Sequence, residues 1–370
     1  MLYYLLYSLH DQISVLNVVR YITFRTAYAS ITALLICLIL GPPLISWLKK
    51  FQIGQQVRED GPEGHRKKSG TPTMGGLLII VSIIIPTLLW ADLTNWYVWI
   101  ALISLLFFGA IGFVDDYFKI SRKRSLGLTA RQKIFLQVLF ALGVASALII
   151  LNSYQLFSTR LSVPFFKTFT PNLDLVLMGT STFLPLIIFV VVIIVGSSNA
   201  VNLSDGLDGL AAGLVVIAAT SLTALTYVTG HASFAEYLGL IKNVYASELS
   251  IFCGSMAGAA LGFLWYNCHP ADVFMGDVGS MSLGGAIGTV AILIKQELLL
   301  FFIGSIFVLE ALSVILQVGS FKLRGKRILK MAPMHHHFEL SGWDESKVVI
   351  RLWIAAIIAA LFSLTTLKIR

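Results

Sequence analysis

Ten apolar runs dominate this chain of 370 residues, near 22–47, 75–91, 97–115, 133–152, 180–198, 208–228, 249–266, 280–295, 298–320 and 348–367. Each approaches the roughly 20 residues that a helix needs to cross the hydrocarbon of a bilayer. Continuous runs exclude a membrane barrel, whose strands would alternate polar and apolar residues. With 57% hydrophobic and 12% charged residues and a mean hydropathy of +0.84, the chain reads as an all-α, polytopic integral membrane protein. No linker or low-complexity stretch divides it, so residues 1–370 are expected to form a single transmembrane domain. No inverted repeat supports a repeat-built transporter.

Eighteen of the 27 Lys and Arg residues fall in three connecting segments. The first holds Lys49, Lys50, Arg58, Arg66, Lys67 and Lys68, and the second Lys119, Arg122, Lys123, Arg124, Arg131 and Lys133. Lys322, Arg324, Lys326, Arg327, Lys330 and Lys347 make up the third. By the positive-inside rule these loops are cytoplasmic, which places both termini outside and every second loop inside. The outer loops near 153–179 and 229–248 agree, carrying only Arg160, Lys167 and Lys242. The net charge of +8 is thereby gathered on one face, where it sets topology and could also attract anionic lipid headgroups or an anionic substrate. Cys37 and Cys253 fall in expected spans and Cys268 in a loop, so neither a disulfide framework nor a CxxC metal site is predicted. The N-terminus lacks a basic n-region and a cleavage site, and no cleaved signal peptide is expected.

Five polar clusters interrupt the apolar pattern: HRKKSGTPTMGG (65–76), the Asp115-Asp116 pair closing the third span, SSNAVNLSDGLDGLAAG (197–213), WYNCHPADVFMGDVGS (265–280) and MAPMHHHFELSGW (331–343). Under this topology all five are cytoplasmic, and scattered helix caps would have no reason to avoid the other face. Carboxylates at a helix C-terminus oppose the dipole, so Asp115-Asp116 asks for a compensating cation, either Lys119 and Lys133 or a metal ion. Ser204 or Asp205 would serve as the N-cap of the sixth span. Asp208 lies one turn further along the same face, and Asn202, Asp205 and Asp208 make a compact set of oxygen ligands or ribose acceptors. Asp277, between Gly276 and Gly279, is a candidate metal ligand because other carboxylates share its face. An oxygen-rich set without thiolates suits Mg²⁺. His335-His336-His337 does not read as a zinc site, since three consecutive side chains seldom converge on one ion. With Arg324, Lys326, Arg327 and Lys330 upstream, it reads as anion-binding. KKSGTPTMGG is not a Walker A loop, though its amides and Lys68 could hold phosphate, just as its charge could only set topology. Carboxylates and cations where lipid meets cytoplasm fit metal-assisted phosphoryl transfer from a soluble diphosphate to a lipid-borne acceptor.

GTPTMGG, FVDDYFK, NAVNLSDGLDGLA, FMGDVGS and APMHHHFELSGW, in this order and at these spans, closely resemble the phospho-N-acetylmuramoyl-pentapeptide-transferase family over nearly the whole chain. The resemblance implies transfer of phospho-N-acetylmuramoyl-pentapeptide from UDP-N-acetylmuramoyl-pentapeptide to undecaprenyl phosphate, giving lipid I and UMP in peptidoglycan biosynthesis. It also implies a Mg²⁺ requirement, a bacterial plasma membrane location, contact with membrane lipid, a homodimer and no nucleic-acid partner. By motif, Asp115 and Asp116 resemble the catalytic pair near the lipid phosphate, Asp277 the catalytic Mg²⁺ ligand and Lys133 a basic residue of the catalytic cleft. Lys68, Thr73, Asn202, Asp205 and Asp208 resemble nucleotide-site positions, and Phe274 the uracil-stacking residue. Asn267, Gln317, His335 and His336 resemble further polar groups of the pocket, with His335 also assigned to catalysis. Ser204 stands where the family often has Thr, which keeps the hydroxyl. Direct attack by the lipid phosphate and a route through an aspartyl-phosphate both fit these residues. Direct attack is favoured because the nucleophile is already ionised at neutral pH.

Two rival readings stand beside this one. A transferase loading N-acetylhexosamine-1-phosphate onto the same lipid would share the Asp-rich loops, but HHHFELSGW resembles the muramoyl-pentapeptide branch. An ion-coupled transporter would want its acidic residues near the bilayer midplane, whereas these lie at one edge.

Overall fold

In the computed structural model, which describes residues 1–50, 70–121, 127–166, 169–177 and 180–368, every apolar run forms helix. The chain runs α1 (Leu2–Ser8), a 3-10 turn (Ser14–Arg20), α2 (Ile22–Lys50), α3 (Gly76–Trp90), α4 (Trp96–Ser121), α5 (Ala130–Ser153), β1 (Leu175–Leu177), β2 (Thr180–Thr182), α6 (Leu184–Ser204), α7 (Leu210–Gly230), α8 (Ala232–Leu238), a 3-10 turn (Val244–Glu248), α9 (Leu249–Asn267), α10 (Gly276–Leu293), α11 (Leu300–Ile303), α12 (Ser305–Arg324), α13 (Met334–Glu339) and α14 (Glu345–Thr366). Among the described residues nine helices are long and apolar enough to cross a membrane, and α3 is a shorter apolar tenth.

Several expected boundaries move, each for a local reason. The third span continues past Asp115-Asp116 to Ser121, so the pair lies inside α4. The fifth begins at Leu184 because Thr180–Thr182 pairs with Leu175–Leu177 as a small antiparallel hairpin, an exception to the all-helix expectation that leaves the bundle unchanged. The eighth starts at Gly276, which brings Asp277 into its first turn. The ninth is broken at Gly304 into α11 and α12. Neither Ser204 nor Asp205 caps the sixth span: Ser204 ends α6 and bonds back to the Ala200 carbonyl, Asp205 follows it, and α7 starts after Gly209, whose φ is 78°.

Lipid tails solvate apolar side chains as well as other helices do, so close packing through small residues decides which helices touch. α10 is the hub, with 89% of its apolar window buried, against 22% for α12. Its glycines admit neighbours: Cβ atoms at Gly284 and Gly285 would stand 2.5 Å from the Ser197 carbonyl oxygen of α6 and against the Phe108 ring of α4. α9 meets α2 through Gly254, Gly258 and Gly262, spaced one turn apart and resting on Thr26, Ser30 and Cys37. A Cβ at Gly258 would overlap the Ser30 carbonyl. Gly258→Leu is therefore expected to lower thermal stability in detergent by several degrees, through an overpacking cost of about 1–3 kcal/mol or more.

At the end of the bundle away from Asp115, Arg25 of α2 is clamped by Glu248. Its Nη1 and Nη2 donate to Oε2 and Oε1 at 2.8 and 2.7 Å, and Nη1 also donates to the Trp90 carbonyl at 3.1 Å. Both residues are buried, so Arg25→Ala would strand a carboxylate. It is expected to destabilise the fold by about 3–5 kcal/mol, read as a fall in melting temperature.

Candidate active site

Gly112 lets the backbone of α4 lie directly on the start of α10, since a Cβ there would overlap the Asp277 carbonyl. One turn later on α4, Asp115 and Asp116 face the same point and are 0% and 3% exposed. Asp277 occupies the first turn of α10, where the dipole favours an anion. The Val278 amide, one of the donors a helix N-terminus leaves unsatisfied, donates to Asp116 Oδ2 at 3.2 Å.

Buried anions this close require cations, and two lysines supply them. Lys119 Nζ, from α4 itself, lies 2.7 Å from Asp115 Oδ2, 3.3 Å from Asp116 Oδ1 and 3.1 Å from Asp277 Oδ2. Lys133 reaches in from α5, with Nζ 3.0 Å from Asp115 Oδ2 and 2.6 Å from Asp277 Oδ2. Asn202 Nδ2 of α6 donates to Asp277 Oδ1 at 3.0 Å, and the Leu128 amide donates to Asp115 Oδ1 at 2.6 Å. Four helices thus meet on three carboxylates. Each carboxylate offers an oxygen within 4.8 Å of the others, a hard donor set of the kind Mg²⁺ takes. Three carboxylates converging on one point supply the hard, anionic oxygens that a divalent cation takes, so the residues present fit one.

Thr73 belongs to the same floor. The chain from Pro72 to Gly76 runs alongside 274–275, with hydrogen bonds from Phe274 N to Pro72 O at 2.8 Å and from Gly75 N to Phe274 O at 2.9 Å. A Cβ at Gly276 would stand 2.6 Å from Asp116 Oδ2 and 2.9 Å from Thr73 Oγ1, so that position admits only glycine. Phe274 is half-buried at the edge of this floor. Asp205 faces the same cluster, and burial, then the carboxylates of Asp277 and Asp116, push its own carboxyl up to about 7.

Asp208 does not share a face with Asp205, because both lie in the turn between α6 and α7 rather than on a helix. Its Oδ2 accepts the Ala271 amide at 3.1 Å and lies 3.1 Å from His269 Nδ1, while its own amide donates to Glu345 Oε1 at 2.9 Å. Asp208, His269 and Glu345 form a second group of ligating atoms. His269 and Glu345 had no signal in the sequence beyond ordinary loop and helix-start positions.

Asn267 and Gln317 are occupied with backbone. Asn267 Oδ1 accepts the Gly209 amide at 3.1 Å and its Nδ2 donates to the Val273 carbonyl at 2.9 Å. Gln317 Oε1 accepts the Ile328 and Leu329 amides at 3.0 and 2.9 Å. The three consecutive histidines take three partners, as adjacent side chains must. His335, 1% exposed, has Nδ1 3.2 Å from Glu310 Oε2, and its ring packs on Gly206. His336 Nδ1 lies 2.8 Å from Glu339 Oε2, and His337 Nδ1 accepts the Lys330 amide at 3.2 Å. Glu310, buried inside α12, was not anticipated. Lys68 lies outside the described residues.

Residues 98–295 match the model of glycosyl transferase family 4, and residues 68–80 match phospho-N-acetylmuramoyl-pentapeptide-transferase signature 1. A phospho-N-acetylmuramoyl-pentapeptide-transferase of Koribacter versatilis (strain Ellin345) is 60% identical over 380 residues, covering all of both chains. Proteins of the same name from Solibacter usitatus (strain Ellin6076) and Thermodesulfovibrio yellowstonii are 59% and 55% identical, again over the full length of both chains.

Proposed function

Since this chain belongs to the phospho-N-acetylmuramoyl-pentapeptide-transferase family, we propose that its buried carboxylate–lysine cluster is the centre at which phospho-N-acetylmuramoyl-pentapeptide passes from its UDP carrier to undecaprenyl phosphate, giving lipid I and UMP. The observation that carries this reading is the meeting of Asp115, Asp116 and Asp277 with Lys119 and Lys133 at the ends of apolar helices. Such a site can serve a water-soluble donor and a lipid-borne acceptor together.

A phosphate oxygen of the acceptor attacks the sugar-bearing phosphorus of the donor. The bond from that phosphorus to the bridging oxygen breaks, and UMP leaves with the oxygen. The nucleophile is ionised at neutral pH, so one step suffices and no aspartyl-phosphate is required; trapping a covalent phospho-sugar enzyme would overturn this. Lys119 and Lys133 present ammonium protons to the oxygens on which charge gathers. Asp115 and Asp116 hold the lysines in place and orient the acceptor. Mg²⁺, which Asp277 with Asp115 and Asp116 would hold, supplies charge neutralisation on the diphosphate when bound. Lys68, Thr73, Asn202, Asp205, Asp208, Phe274 and the His335-His336 pair carry over from the family as donor-binding positions, with Asn267 and Gln317 shaping the backbone beneath them.

The charge asymmetry of the loops supports an active site on the cytoplasmic face of the bacterial plasma membrane with both termini outside. Homodimerisation is carried over from the family.

Purified protein supplied with undecaprenyl phosphate and Mg²⁺ is expected to release UMP from UDP-N-acetylmuramoyl-pentapeptide and not from UDP-N-acetylglucosamine. Chelation should abolish release and added Mg²⁺ restore it. Turnover of the plain sugar donor would move the chain to the hexosamine branch, and UMP from neither donor would sink the transferase reading.

A further inference from the structure

Where α12 ends, outside the carboxylate cluster, the chain displays a surface that is basic and apolar at once. Lys322, Arg324, Lys326, Arg327 and Lys330 are all exposed, and the ion pairs among the described residues involve none of them. Between them stand Phe321, Leu323 and Ile328, exposed by 56%, 85% and 61%. Leu323 is the most exposed large apolar side chain among the described residues.

This surface is built rather than loose. Gly325, at φ 65°, terminates α12. Gln317 then holds the returning chain through the Ile328 and Leu329 amides and the Leu329 carbonyl, and Ser320 Oγ donates to the Lys326 carbonyl at 2.9 Å. Lys330 Nζ donates to the Leu340 carbonyl at 3.0 Å, which joins the surface to the segment that carries His335 and His336.

Water offers nothing to an apolar side chain as exposed as Leu323, and the cations beside it form no ion pair among the described residues. A bilayer of anionic lipid satisfies both, because apolar groups and the stems of Lys and Arg enter the acyl boundary while the charged heads stay among phosphates. The 20 residues of α12 rise about 30 Å, the thickness of the hydrocarbon, so its Arg324 end reaches headgroup level. Its flank upstream is continuous with this surface, with Leu312, Ile315 and Leu316 also exposed. We propose that the segment from Phe321 to Lys330 is a docking surface for anionic phospholipid headgroups. The binding claim stands on charge and exposure alone and does not depend on the transferase reading.

The test extracts full-length protein from liposomes that mix phosphatidylglycerol with phosphatidylcholine, without polyprenyl phosphate, and counts the lipids that remain bound. Wild type is expected to retain phosphatidylglycerol preferentially, and high salt should erode the preference. The combined variant Lys322→Gln, Arg324→Gln, Lys326→Gln, Arg327→Gln is expected to lose roughly tenfold or more of that preference, whereas Arg131→Gln, an exposed cation of α5, should keep it. Leu323→Ser should reduce retention of both lipids. A quadruple variant that keeps the wild-type preference, or a preference indifferent to salt, would overturn the proposal. No preference in wild type would also overturn it, and would assign the cations to a soluble acidic partner instead. The salt arm requires no variant, so misfolding of the quadruple variant cannot shield the proposal.

Discussion

Asp277→Asn is expected to reduce UMP release at least about a hundredfold while leaving the protein folded. The substitution is nearly isosteric, and an asparagine Oδ1 can still accept from Asn202 Nδ2, which lies 3.0 Å from the native oxygen. What disappears is charge. Asp277 Oδ2 sits 2.6 Å from Lys133 Nζ and 3.1 Å from Lys119 Nζ, and it is one of three carboxylates positioned for a divalent cation. Both lysines retain Asp115 as a partner, at 3.0 and 2.7 Å, so neither is stranded. The variant should therefore melt within a few degrees of wild type, with its defect in turnover and in the concentration of Mg²⁺ needed for half-maximal rate. Near-normal turnover would remove Asp277 from the catalytic centre.

Gly112→Ala is expected to fail in both respects, losing stability and activity together. The added methyl would overlap the Asp277 carbonyl and crowd the Val278 amide, which are backbone atoms that cannot swing aside as a flexible side chain would. Overpacking of this kind costs about 1–3 kcal/mol. Separating α4 from α10 also pulls Asp115 and Asp116 away from Asp277, and a displacement of about 1 Å at reacting groups can lower the rate a hundredfold. Gly143→Ala is the matched control: it lies inside α5 with open space around it, where alanine should be neutral or slightly stabilising. Melting temperature and UMP release, measured on both variants, separate a close approach of two helices from a general intolerance of substitution. Equal behaviour of the two would show that the contact at Gly112 is dispensable.

The carboxylates were legible in the sequence because lipid excludes them, so Asp115, Asp116 and Asp277 stood out against apolar surroundings. Their cations were half legible. The dipole argument asked for a partner and nominated Lys119 and Lys133, and the structure places both ammoniums on the cluster. Asp208 was misplaced because a helix face was assumed where the chain makes a turn, and its partners His269 and Glu345 lie 61 and 137 residues away. No local pattern links residues so distant. Glu310 was overlooked for the same reason, since only the fold brings His335 beside it.

The helical, membrane-spanning class and the approximate place of each apolar helix followed from sequence alone, because partition between lipid and water acts on each segment separately. Which helices touch, and how closely, was decided only by tertiary structure. Gly112, Gly258 and Gly276 matter through the atoms of another segment that occupy the space a side chain would fill. The carboxylate cluster belongs to this second kind of information, because Asp115, Asp116 and Asp277 share one site only when the backbones of α4 and α10 are in contact.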